Sequence, residues 1–105
     1  MAFQGDQISV TGTAASLTAL LATASLTPKD KHCRQIDLRI DPGSANTVYW
    51  GGSGVTAAPA NAAGCLVAAT TPSFSFGPTN QPVCTTDEIY LIATGTTTVF
   101  VTLIM

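Results

Sequence analysis

The sequence predicts an all-β fold: a small antiparallel β-sandwich or jelly-roll-like barrel with one short helical turn. Three observations carry this. Short stretches of alternating apolar and polar residues recur along the chain, turn-forming Gly, Pro and Asn separate them, and only one stretch has helical spacing. At 105 residues the chain reads as a single β domain spanning 1–105, with residues 1–6 as an N-terminal arm.

The first strand is "QISVTGT", Gln7 to Thr13, in which Ile8 and Val10 alternate with Ser9 and Thr11. "SLTALLA" follows. Leu17, Leu20 and Leu21 fall at i, i+3 and i+4, which predicts one or two helical turns with Ser16 as N-cap. "TPKDKH" is an exposed connection. "CRQIDLRID" has the cleanest period in the chain: Arg34, Ile36, Leu38 and Ile40 on one side, Cys33, Gln35, Asp37, Arg39 and Asp41 on the other. "DPGSAN" is a turn in which Pro42 fixes φ and Gly43 is expected to supply a positive φ. "TVYWGG" is the next strand, so the spacing predicts a hairpin over Cys33–Gly51. "GCLVAAT" and "SFSFG" are short strand candidates, with Phe74 and Phe76 facing one way, and "PTNQP" is a loop. "DEIYLIATG" and "TTTVFVTLIM" form a second predicted hairpin, Asp87–Leu103.

Charge narrows the function classes. Hydrophobic residues make up 46% and charged residues 10%, against roughly 25% charged in an ordinary soluble domain. All four basic residues (Lys29, Lys31, Arg34, Arg39) lie in one window together with Asp30 and Asp37; Pro42 to Thr86 and Ile89 to Met105 carry no charge. Disorder goes with the opposite composition. A membrane span is not expected, because neither "TVFVTLIM" nor "AASLTALLATASL" approaches the ~20 apolar residues a spanning helix needs. "MAFQGDQ" lacks the basic start of a signal peptide. A net charge of −2, with the one basic window nearly cancelled by carboxylates, argues against nucleic acid. These features point to a protein whose surface is shared with partners or with copies of itself.

Motifs of catalysis and cofactor binding fail on spacing. Gly51-Gly52-Ser53-Gly54 has no following lysine for a P-loop and no following helix for a dinucleotide site, and Ser53 lacks the glycine two positions on that a nucleophile elbow needs. Gly51, Gly52 and Gly54 read instead as a structural turn through dihedrals that glycine adopts cheaply. His32 is the only histidine, and nothing in the sequence sets Asp30 or Asp41 beside it. Asp87 and Glu88 are adjacent at a strand start and make a poor acid–base pair. Cys33, Cys65 and Cys84 form no CxxC pair, and His32 beside Cys33 is a poor zinc pair. They are expected to be small buried apolar residues, with a Cys65–Cys84 bridge left open. No catalytic, cofactor or metal site is expected. Tyr49-Trp50 could serve as a sugar platform, but such a pair more often fills a core and an interface.

The order of motifs resembles a known group. "VYWGGSGVT" and "IYLIATGTTTV", set among a Thr/Ser-rich first strand, a short "LL-A" turn and an "F-S-F" strand, look like the small head proteins of tailed bacteriophages of the capsid decoration, or cement, type; the likeness runs from about Ile8 to Leu103. Departures are Thr23 to Lys31, the cysteines and the uncharged stretch Pro72 to Cys84. The resemblance implies a homotrimer that sits at symmetry axes on the outside of an icosahedral capsid and binds the major capsid protein. The protein would be assembled in the bacterial host cytoplasm and found on the virion surface. Other readings stay open: a tail, baseplate or fibre-attached module; a carbohydrate-binding module using Tyr49 and Trp50; and, last, a hydrolase.

The last strand carries the oligomer expectation. Val99, Val101 and Leu103 oppose Phe100 and Ile104, so the strand is apolar on both sides and is expected to be covered on both. Phe100, Thr102 and Ile104, together with Tyr49 and Trp50, are the expected interface, close to an unpaired sheet edge. Thr97 is expected to tolerate a charge.

Overall fold

The structure is a computed structural model and describes residues 3–23, 32–33, 35–58, 61–77, 84–86 and 88–104. In chain order the elements are β1 (Phe3–Val10), β2 (Ala15–Ser16), α1 (Leu17–Thr23), β3 (His32–Cys33), β4 (Gln35–Ile40), β5 (Val48–Gly51), β6 (Gly64–Leu66), β7 (Ser73–Phe76), β8 (Cys84–Thr85), β9 (Tyr90–Ala93) and β10 (Thr97–Ile104). The predicted exposed connection (27–31 of "TPKDKH"), Arg34, the "PTNQP" loop and Asp87 lie outside the described residues.

Two four-stranded antiparallel sheets face each other, with strand orders β1-β10-β4-β7 and β2-β9-β5-β6; β3 and β8 form a separate pair. With β3 and β8 set aside, these are the two sheets of an eight-stranded jelly roll. The pairing has a simple rule. β1 pairs with β10, β2 with β9, β3 with β8, β4 with β7 and β5 with β6. The chain is therefore one long antiparallel ribbon doubled back at the β5–β6 loop. Rolling that ribbon up adds the contacts β10–β4 and β9–β5, which close each sheet.

The all-β class and, among the described residues, the single short helix agree with the sequence reading; two details do not. The predicted hairpins Cys33–Gly51 and Asp87–Leu103 are not hairpins. β4 lies in one sheet and β5 in the other, and β9 and β10 are likewise divided. Both turns are arches that cross the sandwich. A turn rich in Asp, Pro and Gly, or in Thr and Gly, suits either path; the choice rests on which distant strand each segment pairs with. Residues 3–6 are not an arm, because β1 begins at Phe3 and pairs with β10 along its whole length, Phe3 opposite Ile104 and Val10 opposite Thr97. β10 itself is a central strand with β1 and β4 on its two sides, and the unpaired edge expected beside its outer patch is β1.

The arches hold each other. Asp41 Oδ1 accepts from the Gly43 amide at 3.0 Å and the Asp41 carbonyl accepts from Ser44 at 3.0 Å, an Asx turn nested in a β-turn. Gly43 does not use the positive φ that the sequence suggested; its φ lies outside the left-handed region. Across from it, the Thr94 hydroxyl accepts from the Thr47 amide at 3.1 Å, and the Thr94 amide donates to the Thr47 carbonyl at 3.0 Å. A Cβ on Gly95 would fall 2.8 Å from Asn46 Oδ1, so glycine there admits the Asn46 side chain between the two arches.

The core lies between the sheets. Ile8 and Val10 of β1, Ile36, Leu38 and Ile40 of β4, Val99, Val101 and Leu103 of β10, and Val48, Leu66, Leu91 and Ala93 of the second sheet are all buried in one cluster. Helix α1 adds Leu17 and Leu21, with Leu20 packed at its margin. Ser16 caps it as predicted, its Oγ accepting from the Ala19 amide at 3.2 Å. The helix start is also tied to the β8–β9 connection: the Leu17 amide donates to the Ile89 carbonyl at 2.8 Å, and the Thr18 and Thr86 hydroxyls are 2.6 Å apart.

Candidate functional site

The five residues expected at an interface divide among three places. Phe100, Thr102 and Ile104 lie on the outer side of the β1-β10-β4-β7 sheet. Tyr49 lies on the outer side of the other sheet. Trp50 points inward.

Trp50 is therefore a correction. Its indole packs on the core with Phe74 and Phe76 of β7, at centroid distances of 4.6 and 4.9 Å, and the two phenylalanines are 4.9 Å apart. The three rings join the two sheets on the side where β6 and β7 are the outermost strands. Gly64, opposite Trp50 in the ladder, makes this possible, since any Cβ there would overlap the indole ring. The Trp50 Nε1–H is buried and has no protein acceptor, alone in this among the described residues. Tyr49 and Trp50 are neighbours on one strand and so face opposite ways. They cannot form one flat sugar platform.

The turn glycines also act differently from expectation. Gly51, Gly52 and Gly54 all keep φ outside the left-handed region. Gly51 eases a tight approach: a Cβ would come to 3.3 Å from Val55 Cγ2 and from the Ala63 amide nitrogen. Val55 is buried there, and the Ala63 amide donates to the Trp50 carbonyl at 2.9 Å to close the loop. Gly52 and Gly54 have open space around them, and the Val55 amide donates to the Gly52 carbonyl across a β-turn. Ser53 sits exposed in that turn. The loop is thus a packed hairpin tip.

The outer side of the first sheet is the most distinctive surface. Along β10 burial alternates without a break: Thr97, Val99, Val101 and Leu103 inside, Thr98, Phe100, Thr102 and Ile104 outside. The amino-acid pattern hides this alternation because both sides are apolar. Phe100 is 37% exposed and is the one exposed large hydrophobic among the described residues. Ile104 is half-buried. Thr97 is 3% exposed, with its hydroxyl donating to the Gly95 carbonyl at 2.8 Å, so a charge there would be buried; the expected tolerance does not hold.

Register fixes the neighbours of Phe100. One row across the sheet reads Gln7, Phe100, Arg39, Ser73, and the next reads Gly5, Thr102, Asp37, Ser75. A groove of about 330 Å³ runs over Phe100, Thr102, Asp37, Arg39, Ser73 and Ser75. Asp37 accepts from Gln35 Nε2 at 2.8 Å, and Arg39 is exposed. The surface thus offers one ring, one cation, one anion and a set of hydroxyls.

The second outer face is different. Cys65, Tyr49 and Ile92 form one row across it. Ile92 points outward and is still only 8% exposed. A smaller hollow of about 130 Å³ lies beside Tyr49, between it and residues 62–65. Cys65 is exposed with a free thiol, against the expectation of a small buried residue, and it stands opposite Tyr49 in the ladder, whereas Cys84 stands opposite Cys33. A Cys65–Cys84 bridge does not fit this pairing.

Among the described residues no group of three His, Cys, Asp or Glu could hold a metal ion, and no helix is long and apolar enough to cross a membrane. Lys29, Lys31 and Asp30 lie outside the described residues. Comparison with protein-family models, with curated proteins and with solved structures gave no match. The chain is, by its topology, a small jelly-roll sandwich.

Proposed function

We propose that this chain is a structural protein of a phage virion, not an enzyme, carried as a homotrimer on the outside of an icosahedral capsid. There it bridges neighbouring copies of the major capsid protein and stabilises the shell. The observation that carries the reading is the outer face around Phe100. A phenylalanine in the middle of a central strand, 37% exposed, gains about 0.5–1 kcal/mol from covering that remaining fraction, by the usual burial figures. Arg39 and Asp37 flank it, one of each sign, so around a three-fold axis the cation of one copy can meet the anion of the next. A trimer seated on a three-fold of the shell uses this face between protomers. Many weak contacts to the capsid then add through multivalency.

Two further features favour the reading. The sequence carries the "VYWGGSGVT" and "IYLIATGTTTV" resemblance, and the jelly roll is a frequent architecture of viral capsid domains, though also of lectins and cupins. The carbohydrate-module reading loses its platform with Tyr49 and Trp50 on opposite sides of a strand.

Light scattering of the purified chain tests the oligomer. A trimer is expected at micromolar concentration; Phe100→Asp is expected to yield monomer and to abolish attachment to particles. Thr56→Asp, at an exposed position in the hairpin tip, is expected to change neither. A stable, soluble monomer from the unsubstituted chain ends the trimer reading. Copy counting by mass spectrometry of purified particles separates decoration, with hundreds of copies, from a tail or baseplate part with a few dozen.

A further inference from the structure

We propose that Cys33 and Cys84 are the two halves of a cross-strand disulfide that closes on oxidation. The two residues are directly opposite in the antiparallel β3–β8 pair. Opposed residues of an antiparallel ladder have Cα atoms about 4.5 or 5.5 Å apart, depending on the site, and they share a face of the ribbon. Disulfides span Cα separations of about 4.4–6.8 Å, so either kind of ladder site meets the requirement without moving the backbone.

Placement in the fold gives the bond a task. β3–β8 is the middle rung of the rolled ribbon and lies outside the two four-stranded sheets. Among the described residues it has two residue pairs, His32 with Thr85 and Cys33 with Cys84. A two-stranded ribbon of that length is marginal by itself. A bond at this rung encloses β4, β5, β6 and β7, which are two strands from each sheet. Closing so long a segment restricts the unfolded chain strongly in the chain-entropy account of disulfides. The third cysteine does not compete, because Cys65 belongs to β6 and stands opposite Tyr49.

The chemistry balances with a small-molecule disulfide, such as oxidised glutathione, as oxidant. One cysteine thiolate attacks a sulfur of the oxidant, forming a mixed disulfide and releasing one small thiol. The second thiolate displaces the other small thiol and forms the Cys33–Cys84 bond. Two protons leave the cysteines and two small thiols form. In a reducing cytosol the pair stays as thiols, and it closes in an oxidising medium.

The test uses the full chain incubated with oxidised glutathione, then denatured and alkylated. Cys33 and Cys84 are expected to be unreactive and joined to each other, whereas the exposed Cys65 is recovered as the free thiol or as its mixed disulfide with glutathione. Trypsin isolates Cys33 between Lys31 and Arg34, and cleavage after Phe74 separates Cys65 from Cys84, so a peptide map reads the link directly. Reactive thiols at Cys33 and Cys84, glutathione retained on either of them, or a bond from either to Cys65 or to another chain would each overturn the proposal. Thermal unfolding of Cys65→Ser adds a second readout. Its midpoint is expected to fall by roughly 10 °C or more on reduction. Cys33→Ser combined with Cys65→Ser is expected to show no redox dependence, and an equal fall in that double variant would also overturn the proposal.

Discussion

The two outer faces of this sandwich have the same plan and opposite finish. Each has an aromatic residue in the middle of a central strand: Phe100 on β10 and Tyr49 on β5. Around Tyr49 the apolar surface is covered from within the chain, and the outward-facing Ile92 opposite it is nearly closed to solvent. Around Phe100 the neighbours in the row are Gln7 and Arg39, and the ring stays open. One monomer has thus completed one of its faces and left the other unfinished. Exposed apolar area on a small domain is unremarkable when scattered, but here it sits in a groove between residues of both charge signs. The difference directs attention to the first sheet as the surface with work to do.

The sharpest way to break this contrast is from the inside. Gly64→Ala puts a methyl group where the Trp50 indole lies, and should displace the ring from Phe74 and Phe76. A loss of about 2–3 kcal/mol in urea unfolding is expected, in the range for overpacked cores. An unchanged midpoint would mean that the aromatic cluster does not tie the sheets together. Tyr49→Ala should uncover Ile92 and lose about 1–2 kcal/mol, less than a fully buried aromatic would. Phe100→Ala should change the unfolding free energy of the dissociated chain by no more than about 0.5 kcal/mol, as for surface positions generally, while weakening self-association. Equal losses for Tyr49→Ala and Phe100→Ala would erase the distinction between the faces.

Local features were readable in the sequence where one side of an element is polar. The alternation of "CRQIDLRID" placed Ile36, Leu38 and Ile40 in the core correctly, and Ser16 announced the helix start. Phe74 and Phe76 were rightly set on one side. β10 was ambiguous because its two sides are both apolar, and only its neighbours decide which is inside. The arches at Pro42-Gly43 and Gly95 were mistaken for hairpins because turn chemistry is local and sheet membership is not. Trp50 was assigned outward for a similar reason: nothing in "VYWGG" announces a glycine waiting opposite, fourteen positions on. Gly51 was singled out for dihedral freedom, whereas its use is the close approach of Val55 and Ala63.

The rolled ribbon has a consequence in time as well as in space. In the first sheet β1 touches only β10, which follows it by almost the whole chain, and β10 also separates β1 from β4. No strand of that sheet except the β4–β7 edge pair can assemble before β10 has emerged. Closure of the tip, β5 with β6, needs the shortest loop, so the ribbon is expected to zip from there outward, with the β1–β10 seam sealing last. Contacts so distant in sequence make for slow folding, in milliseconds to seconds rather than microseconds. During synthesis, the half-made domain would wait with Ile8, Val10 and the inner face of β4 uncovered, and its native state would be reached in a single late step.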